Sequence, residues 1–230
     1  MEQRIDAFKD LAKEFNDHGY KLYLVGGTVR DYLLNIPLED MDAVTDATPK
    51  EVVAFLPNAD TTFAHLGSLK YKSANGIKFD ITTLREESGY LDSRHPSKIN
   101  FVKDPKDDFK RRDFTVNAMY MDENLKVLDF CDGQKDLKDG VLRMVGIPQK
   151  RLEEDPLRIL RAIRFHLMFN LRIDNELLKA MKDCFHLLKN ITDAKIRSEL
   201  NKIDDSRVDP ADKNEIFAQF DIANLKGVVK

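Results

Sequence analysis

The chain has only two cysteines, Cys131 and Cys184, too few for a disulfide framework and at no metal-ligand spacing, so both read as ordinary thiols of a reducing compartment. Nowhere do about eighteen apolar residues run together, and the opening MEQRIDAFKD lacks the basic-then-apolar pattern of a secretory signal. These absences exclude a spanning helix and leave the cytoplasm as the expected location, with no membrane partner. Strong charge of one sign is also missing. A net charge of −3 excludes a protein that coats nucleic acid by bulk electrostatics, while permitting a locally basic groove. The five histidines, His18, His65, His95, His166 and His186, show neither metal-ligand pairing nor a His-Asp doublet, so no phosphohydrolase activity is expected. No internal repeat or low-complexity tract is found. No obligate protein partner and no oligomeric state can be read.

What is present suffices for a real core: 230 residues, 42% hydrophobic and 33% charged, enough for one or two small domains. Between Arg143 and Lys202 lie thirteen Lys and Arg against eight Asp and Glu, a local excess of +5, so the remainder carries −8. Either a phosphate-bearing partner lies there or the segment is a set of solvated amphipathic helices.

Residues 4–17 place Ile5, Phe8, Leu11, Ala12 and Phe15 at helical spacing, and Lys21 to Val25 reads as a buried strand. Gly26 and Gly27 break that strand, Thr28 can cap a following helix (VRDYLL), and a second strand fits Met41 to Thr45. Asn75-Gly76 between two strand-like runs signals a tight hairpin, with Asp80 on its second arm. Residues 86–104 are polar, carry Gly and Pro and show neither periodicity, which predicts a long mobile loop from which His95 can touch substrate. From Asp155 the pattern is helical, over 155–170, about 174–188, about 192–202 and 211–224.

Asp40-Met41-Asp42 stands at or just inside a strand, where alternation turns both carboxylates to one face, able to share a metal. Two hard divalent ions held so can lower the pKa of a ribose 3′-hydroxyl, orient a triphosphate and neutralise a leaving pyrophosphate. A lone D-x-D also occurs in ordinary turns. The Gly26-Gly27 pair upstream lets backbone N–H groups approach a triphosphate, and Arg30, one turn later, can reach the same phosphates. Asp80 alternates with Phe79 and Ile81, so it faces away from their core side and is the best-placed third carboxylate, ahead of Glu86 and Glu87. On helix 155–170, Arg158, Arg161 and Arg164 fall on one arc while Ile159, Leu160, Ile163 and Leu167 take the other side.

Four blocks in order, LVGGTVRDYLL, DMDAVTDATPKEV, KRRDFTVNAMYMD and EDPLRILRAIRF, resemble the bacterial-type (class II) tRNA nucleotidyltransferases and their poly(A) polymerase relatives, from about Tyr20 to Phe165. The resemblance implies an α+β fold: a polymerase-β-like nucleotidyltransferase head with a mixed sheet and flanking helices over residues 1–145, then an all-helical neck and short body over 146–230. It implies that Asp40 and Asp42 bind two Mg²⁺ ions, that Gly26, Gly27 and Arg30 bind the incoming nucleotide, that Arg112 contacts it and that Asp113 and Asn117 help read its ribose. Asp155 and Arg158 would imitate a template by pairing with the base, with Arg161 and Arg164 lining the site. A carboxylate accepts from the amino group of cytosine or adenine and a guanidinium donates to the neighbouring ring acceptor, whereas uracil and guanine present a carbonyl where a donor is needed.

The implied activity is template-independent addition of CCA to the 3′ end of tRNA from CTP and ATP, with partial CC or A addition, or poly(A) addition, within the same chemistry. A nucleotide- or RNA-binding module without catalysis is the alternative of another class. Relatives usually continue into larger helical regions, so this chain is expected to be a compact version or a fragment.

Overall fold

The computed structural model describes residues 1–90 and 96–225, which form two compact units, one of residues 1–89 and 96–134 and one of 135–225. His95 lies outside the described residues.

In the first unit, helix α1 (Glu2–Asp17) buries Ile5, Ala7, Phe8, Leu11, Ala12 and Phe15 against strand β1 (Leu22–Val25), the face its 3.6-residue spacing dictates. Helix α2 (Gly27–Leu33) follows at once, then β2 (Met41–Thr45) and helix α3 (Pro49–Phe55). The hairpin at Asn75-Gly76 joins β3 (Ser68–Lys72) to β4 (Lys78–Thr83), with Gly76 at φ +81° in the turn. Two short strands, β7 (Tyr120–Met121) and β8 (Val127–Leu128), complete a six-stranded sheet in the order β3-β4-β2-β1-β7-β8. β2 and β4 run parallel and every other pairing is antiparallel, so the sheet is mixed. Val25, Val44, Leu84 and Tyr120 pack as one buried cluster around it.

Residues 86–104 differ from the expected loop. β5 (Arg85–Tyr90) and β6 (Pro96–Phe101) pair with each other as a separate two-stranded ribbon, followed by the short helix α4 (Pro105–Asp108). A ribbon outside the main sheet has little apolar surface to bury on either face, so its sequence carries no alternation for a period-2 reading to find.

In sequence, α5 (Gly133–Lys138) leads into the second unit. Here β9 (Val141–Leu142) pairs in parallel with β10 (Arg172–Ile173), and the rest is helical. The helices are α6 (Pro148–Glu154), α7 (Leu157–Phe169), α8 (Asn175–Cys184), α9 (Asp193–Leu200) and α10 (Pro210–Gln219). α7 begins at Leu157, not Asp155, because the residue before a proline is pushed out of helical geometry: Asp155, preceding Pro156, is extended at φ −148°. α7 buries Ile159, Leu160, Ile163 and Leu167, as its spacing predicts. No described helix is long and apolar enough to cross a membrane.

Candidate active site

The break between β1 and α2 falls at two glycines. Gly26 sits at φ +66°, ψ −128°, a region essentially restricted to glycine. Gly27 has ordinary helical geometry, and a Cβ there would stand 3.4 Å from Arg30 Nη2, so the Arg30 guanidinium folds back into contact with the turn. Arg30 is buried, donating from Nη1 to Asn117 Oδ1 at 2.6 Å and from Nε and Nη2 to Asp31 at 2.9 and 2.7 Å. Arg30 and Asn117, read from separate motifs, thus meet.

Thr28 does not cap α2, since Gly26 holds that position. Its buried hydroxyl instead bridges two segments, donating to the Asp40 carbonyl at 3.1 Å and accepting from the Asp42 N–H at 2.9 Å. One side chain therefore ties the D-x-D segment to the glycine turn, a link no sequence pattern advertised.

Asp40 lies just before β2 and Asp42 is its second residue, with Met41 and Ala43 buried on the alternate face. On β4, Asp80 is the register partner of Asp42, while Phe79 and Ile81 are buried. Register partners on adjacent strands share a face, so Asp80 joins Asp42, while also lying 3.7 Å from Lys70 Nζ. Burial, then the nearby charges of Asp80 and Asp40, push the Asp42 carboxyl up to about 6, against the opposing pull of Arg112 and Arg30. A cluster of hard oxygen donors whose repulsion is only partly relieved by these cations suits a divalent ion, which would supply further positive charge. Among the described residues no three His, Cys, Asp or Glu side chains enclose a metal cage. Magnesium is ordinarily bound through one or two carboxylates, with water and phosphate oxygens completing the shell.

Arg112 approaches the same turn from the segment after α4. Its Nη1 would be 3.7 Å from a Cβ on Gly26. Asp108, which the sequence reading passed over, accepts from Arg112 Nε and Nη2 at 3.1 and 2.9 Å. It was findable, because Asp108 stands three and four residues before Arg111 and Arg112, the spacing of helical ion pairs. Asp113 Oδ1 accepts from the Phe114 N–H at 2.7 Å. Glu87 is turned to Arg85 and Arg111, at 2.7 and 3.4 Å, and so is engaged in structure.

Four predicted site residues lie in the second unit. Asp155 Oδ1 accepts from the Leu157 N–H at 3.1 Å, and Arg158 Nη1 donates to the Arg151 carbonyl at 2.7 Å and to Glu154 at 3.4 Å. The cationic arc of α7 is not a bare solvated face. Arg158 is buried, while Arg164 Nε and Arg161 Nη1 lie 2.7 and 4.0 Å from Glu199, itself buried on α9. Burial alone would raise the Glu199 pKa, but Lys202, Arg164 and Arg161 together hold it below the ordinary carboxylate value.

Residues 22–143, just over half of the chain, match the Poly A polymerase head domain family. A CCA-adding enzyme of Lactiplantibacillus plantarum is 40% identical over 224 residues, which is 97% of this chain and 52% of that protein. The crystal structure of the Bacillus stearothermophilus CCA-adding enzyme in complex with CTP superimposes with a TM-score of 0.79 at 31% identity, covering 86% of this chain and 48% of that one. The Thermotoga maritima CCA-adding enzyme complexed with tRNA_CCA gives 0.75 at 30% identity, over 94% and 50%. The chain spans about half the length of the curated relatives it matches. Its first unit has the polymerase-β-like fold of these enzymes, whose nucleotidyl-transfer chemistry implies a divalent metal. With that fold, a matching head region and the carboxylate cluster beside the glycine turn, the chain belongs to the poly(A) polymerase head-domain family of nucleotidyltransferases.

Proposed function

We propose that this chain adds CCA to the 3′ end of tRNA, using CTP and ATP and releasing pyrophosphate, in the cytoplasm. The observation that carries the reading is the meeting of Asp40, Asp42 and Asp80 with the Gly26-Gly27 turn, Arg30, Asn117 and Arg112 in one compact unit. The relatives seen in complex with tRNA_CCA and with CTP support the RNA and one of the two nucleotides. In this reading residues 1–145 are the catalytic head, and residues 146–230 are a neck and short body for nucleotide selection and contact with the tRNA acceptor end.

The triphosphate lies across the glycine turn, where backbone N–H groups approach it and Arg30 and Arg112 neutralise it. Asp113 and Asn117 bond the ribose hydroxyls. Asp155 accepts from the amino group of cytosine or adenine, Arg158 donates to the adjacent ring acceptor, and Arg161 and Arg164 also take part in nucleotide recognition. Two Mg²⁺ ions held by Asp40 and Asp42 would lower the pKa of the RNA 3′-hydroxyl and neutralise the leaving pyrophosphate. Asp80 adds negative potential at Asp42, which raises its affinity for a proton and, more strongly, for a doubly charged cation.

The test incubates the purified protein and Mg²⁺ with tRNAs ending before CCA, after C or after CC, with labelled CTP and ATP supplied separately. Addition of C, C and A and no more is expected, and Asp42→Ala should lower the rate by at least about 1,000-fold. Long A tails would identify a poly(A) polymerase, and nucleotide binding without incorporation a non-catalytic module. Labelling that persists in Asp42→Ala would refute the metal role.

A further inference from the structure

Asp108 ends α4 with no exposed surface at all, a place where an ionised carboxylate survives only with several donors. Both of its oxygens are engaged. Oδ1 accepts from the Arg85 N–H at 2.9 Å and Arg111 Nε at 2.8 Å. Oδ2 accepts from Arg112 Nε and Nη2 at 3.1 and 2.9 Å and from the Tyr120 hydroxyl at 2.7 Å. The Tyr120 oxygen in turn accepts from Arg112 Nε at 2.9 Å, closing a triangle of Asp108, Tyr120 and Arg112, and the guanidinium lies 5.0 Å from the Tyr120 ring centre.

Tyr120 is itself closely packed. It is fully buried on β7, in the cluster with Val25 that carries the chain into the glycine turn. Burial pushes its phenol pKa well up, so the hydroxyl keeps the proton it donates to Asp108. A guanidinium held along its Nε–Nη2 edge by two fixed acceptors has one orientation left, and here that orientation sets Nη1 beside Gly26.

We propose that Asp108 and Tyr120 are positioning residues that aim the Nη1 edge of Arg112 at the triphosphate over the Gly26-Gly27 turn. Neither touches the nucleotide; both act through Arg112. The inference rests on reading Arg112 as a nucleotide contact. A carboxylate that merely neutralised the Arg111 and Arg112 guanidiniums would have no need of the tyrosine hydroxyl, which adds no charge. Besides donating to Asp108, that hydroxyl accepts from Arg112 Nε and so fixes where the guanidinium points.

The experiment measures kcat and KM for CTP on a tRNA ending before CCA, in the intact protein and in Tyr120→Phe, Asp108→Asn, Arg112→Ala and the double variant Tyr120→Phe/Arg112→Ala, with thermal melting of each. Tyr120→Phe is expected to raise KM about 5- to 10-fold with kcat within about twofold, the loss of one hydrogen bond to a charged group. Asp108→Asn should raise it further. In the Arg112→Ala background the tyrosine substitution should add less than about twofold, because the residue it acts through is gone. An unchanged KM in Tyr120→Phe, or equal effects in both backgrounds, would overturn the inference while leaving the enzymatic reading intact. If Asp108→Asn does not fold, the tyrosine pair of measurements decides alone. An unsubstituted protein that incorporates no nucleotide would overturn the enzymatic reading and this inference with it.

Discussion

Asp42 and Asp108 are two poorly exposed carboxylates in the same unit, and their surroundings drive them in opposite directions. Around Asp42, burial and the charges of Asp80 and Asp40 push the pKa up to about 6. Around Asp108, burial works the same way, but Arg112, Arg111, the Arg85 N–H and the Tyr120 hydroxyl outweigh it and hold the carboxyl at about 2. At Asp42 burial and repulsion outweigh the pull of Arg112 and Arg30, whereas at Asp108 the charge is answered several times over. The difference separates a place prepared for a ligand from the framework that aims side chains at it, because a fold keeps an electrostatic conflict only where something else resolves it.

The sharpest way to test that contrast is stability against pH. Asp108 has a depressed folded pKa, so its contribution is present above the unfolded value near 3.8 and is lost as pH falls through about 2. Asp108→Asn should therefore cost roughly 3 kcal/mol at pH 7, leaving buried arginines short of a partner, and the deficit should narrow towards pH 2. Thermal or urea melts across that range would record it, and a pH-independent deficit would break the comparison.

A smaller loss belongs to the glycine turn. Gly26→Ala forces an L side chain into the φ +66°, ψ −128° region and should cost about 1–3 kcal/mol. Gly27 has no such conformational demand and a Cβ there would meet Arg30 only at ordinary contact distance, so in Gly27→Ala stability should hold within about 0.5 kcal/mol. Equal melting losses at the two positions would remove the distinction between a glycine needed for its backbone and one that is not.

The smallest effect has the opposite sign. Asp42 has a raised folded pKa, so its contribution is full below about 3.8 and disappears as pH rises through about 6. At pH 7.5, without divalent cation, Asp42→Asn should be more stable than the parent by about 1–2 kcal/mol, discounted for partial exposure. Mg²⁺ should erase that advantage by stabilising only the parent. A destabilised Asp42→Asn protein would show that the conflict at Asp42 is not there.

Much of the fold was legible locally. The α1 and α7 faces, β2 and the Asn75-Gly76 hairpin followed from periodicity and turn chemistry, since their apolar residues recur on the face that is buried. Three short helices went unread although each opens with proline, at Pro49, Pro105 and Pro148, and α3 adds a capping box of Thr48 and Glu51. Four to seven residues give a hydrophobic period too little length to register, and the start signals were the better evidence. At the candidate site the chemistry-bearing residue types were visible, but the residues that hold them were not. Thr28 and Tyr120 act through single hydroxyls on partners 12 and 8 residues away, distances with no periodic signature.

The sequence alone determined which elements form and which carboxylates, glycines and arginines are available, because spacing, turn residues and binary pattern act over a few neighbours. Only the tertiary structure decided that Asp80 lies in register with Asp42, that Arg30 meets Asn117, and that Asp108 clamps Arg112 beside Gly26. Those relations depend on which strands pair and which side chains are shut away from water. Pairing and exclusion are set by the minimum free energy of the whole unit and have no counterpart in any short stretch of chain.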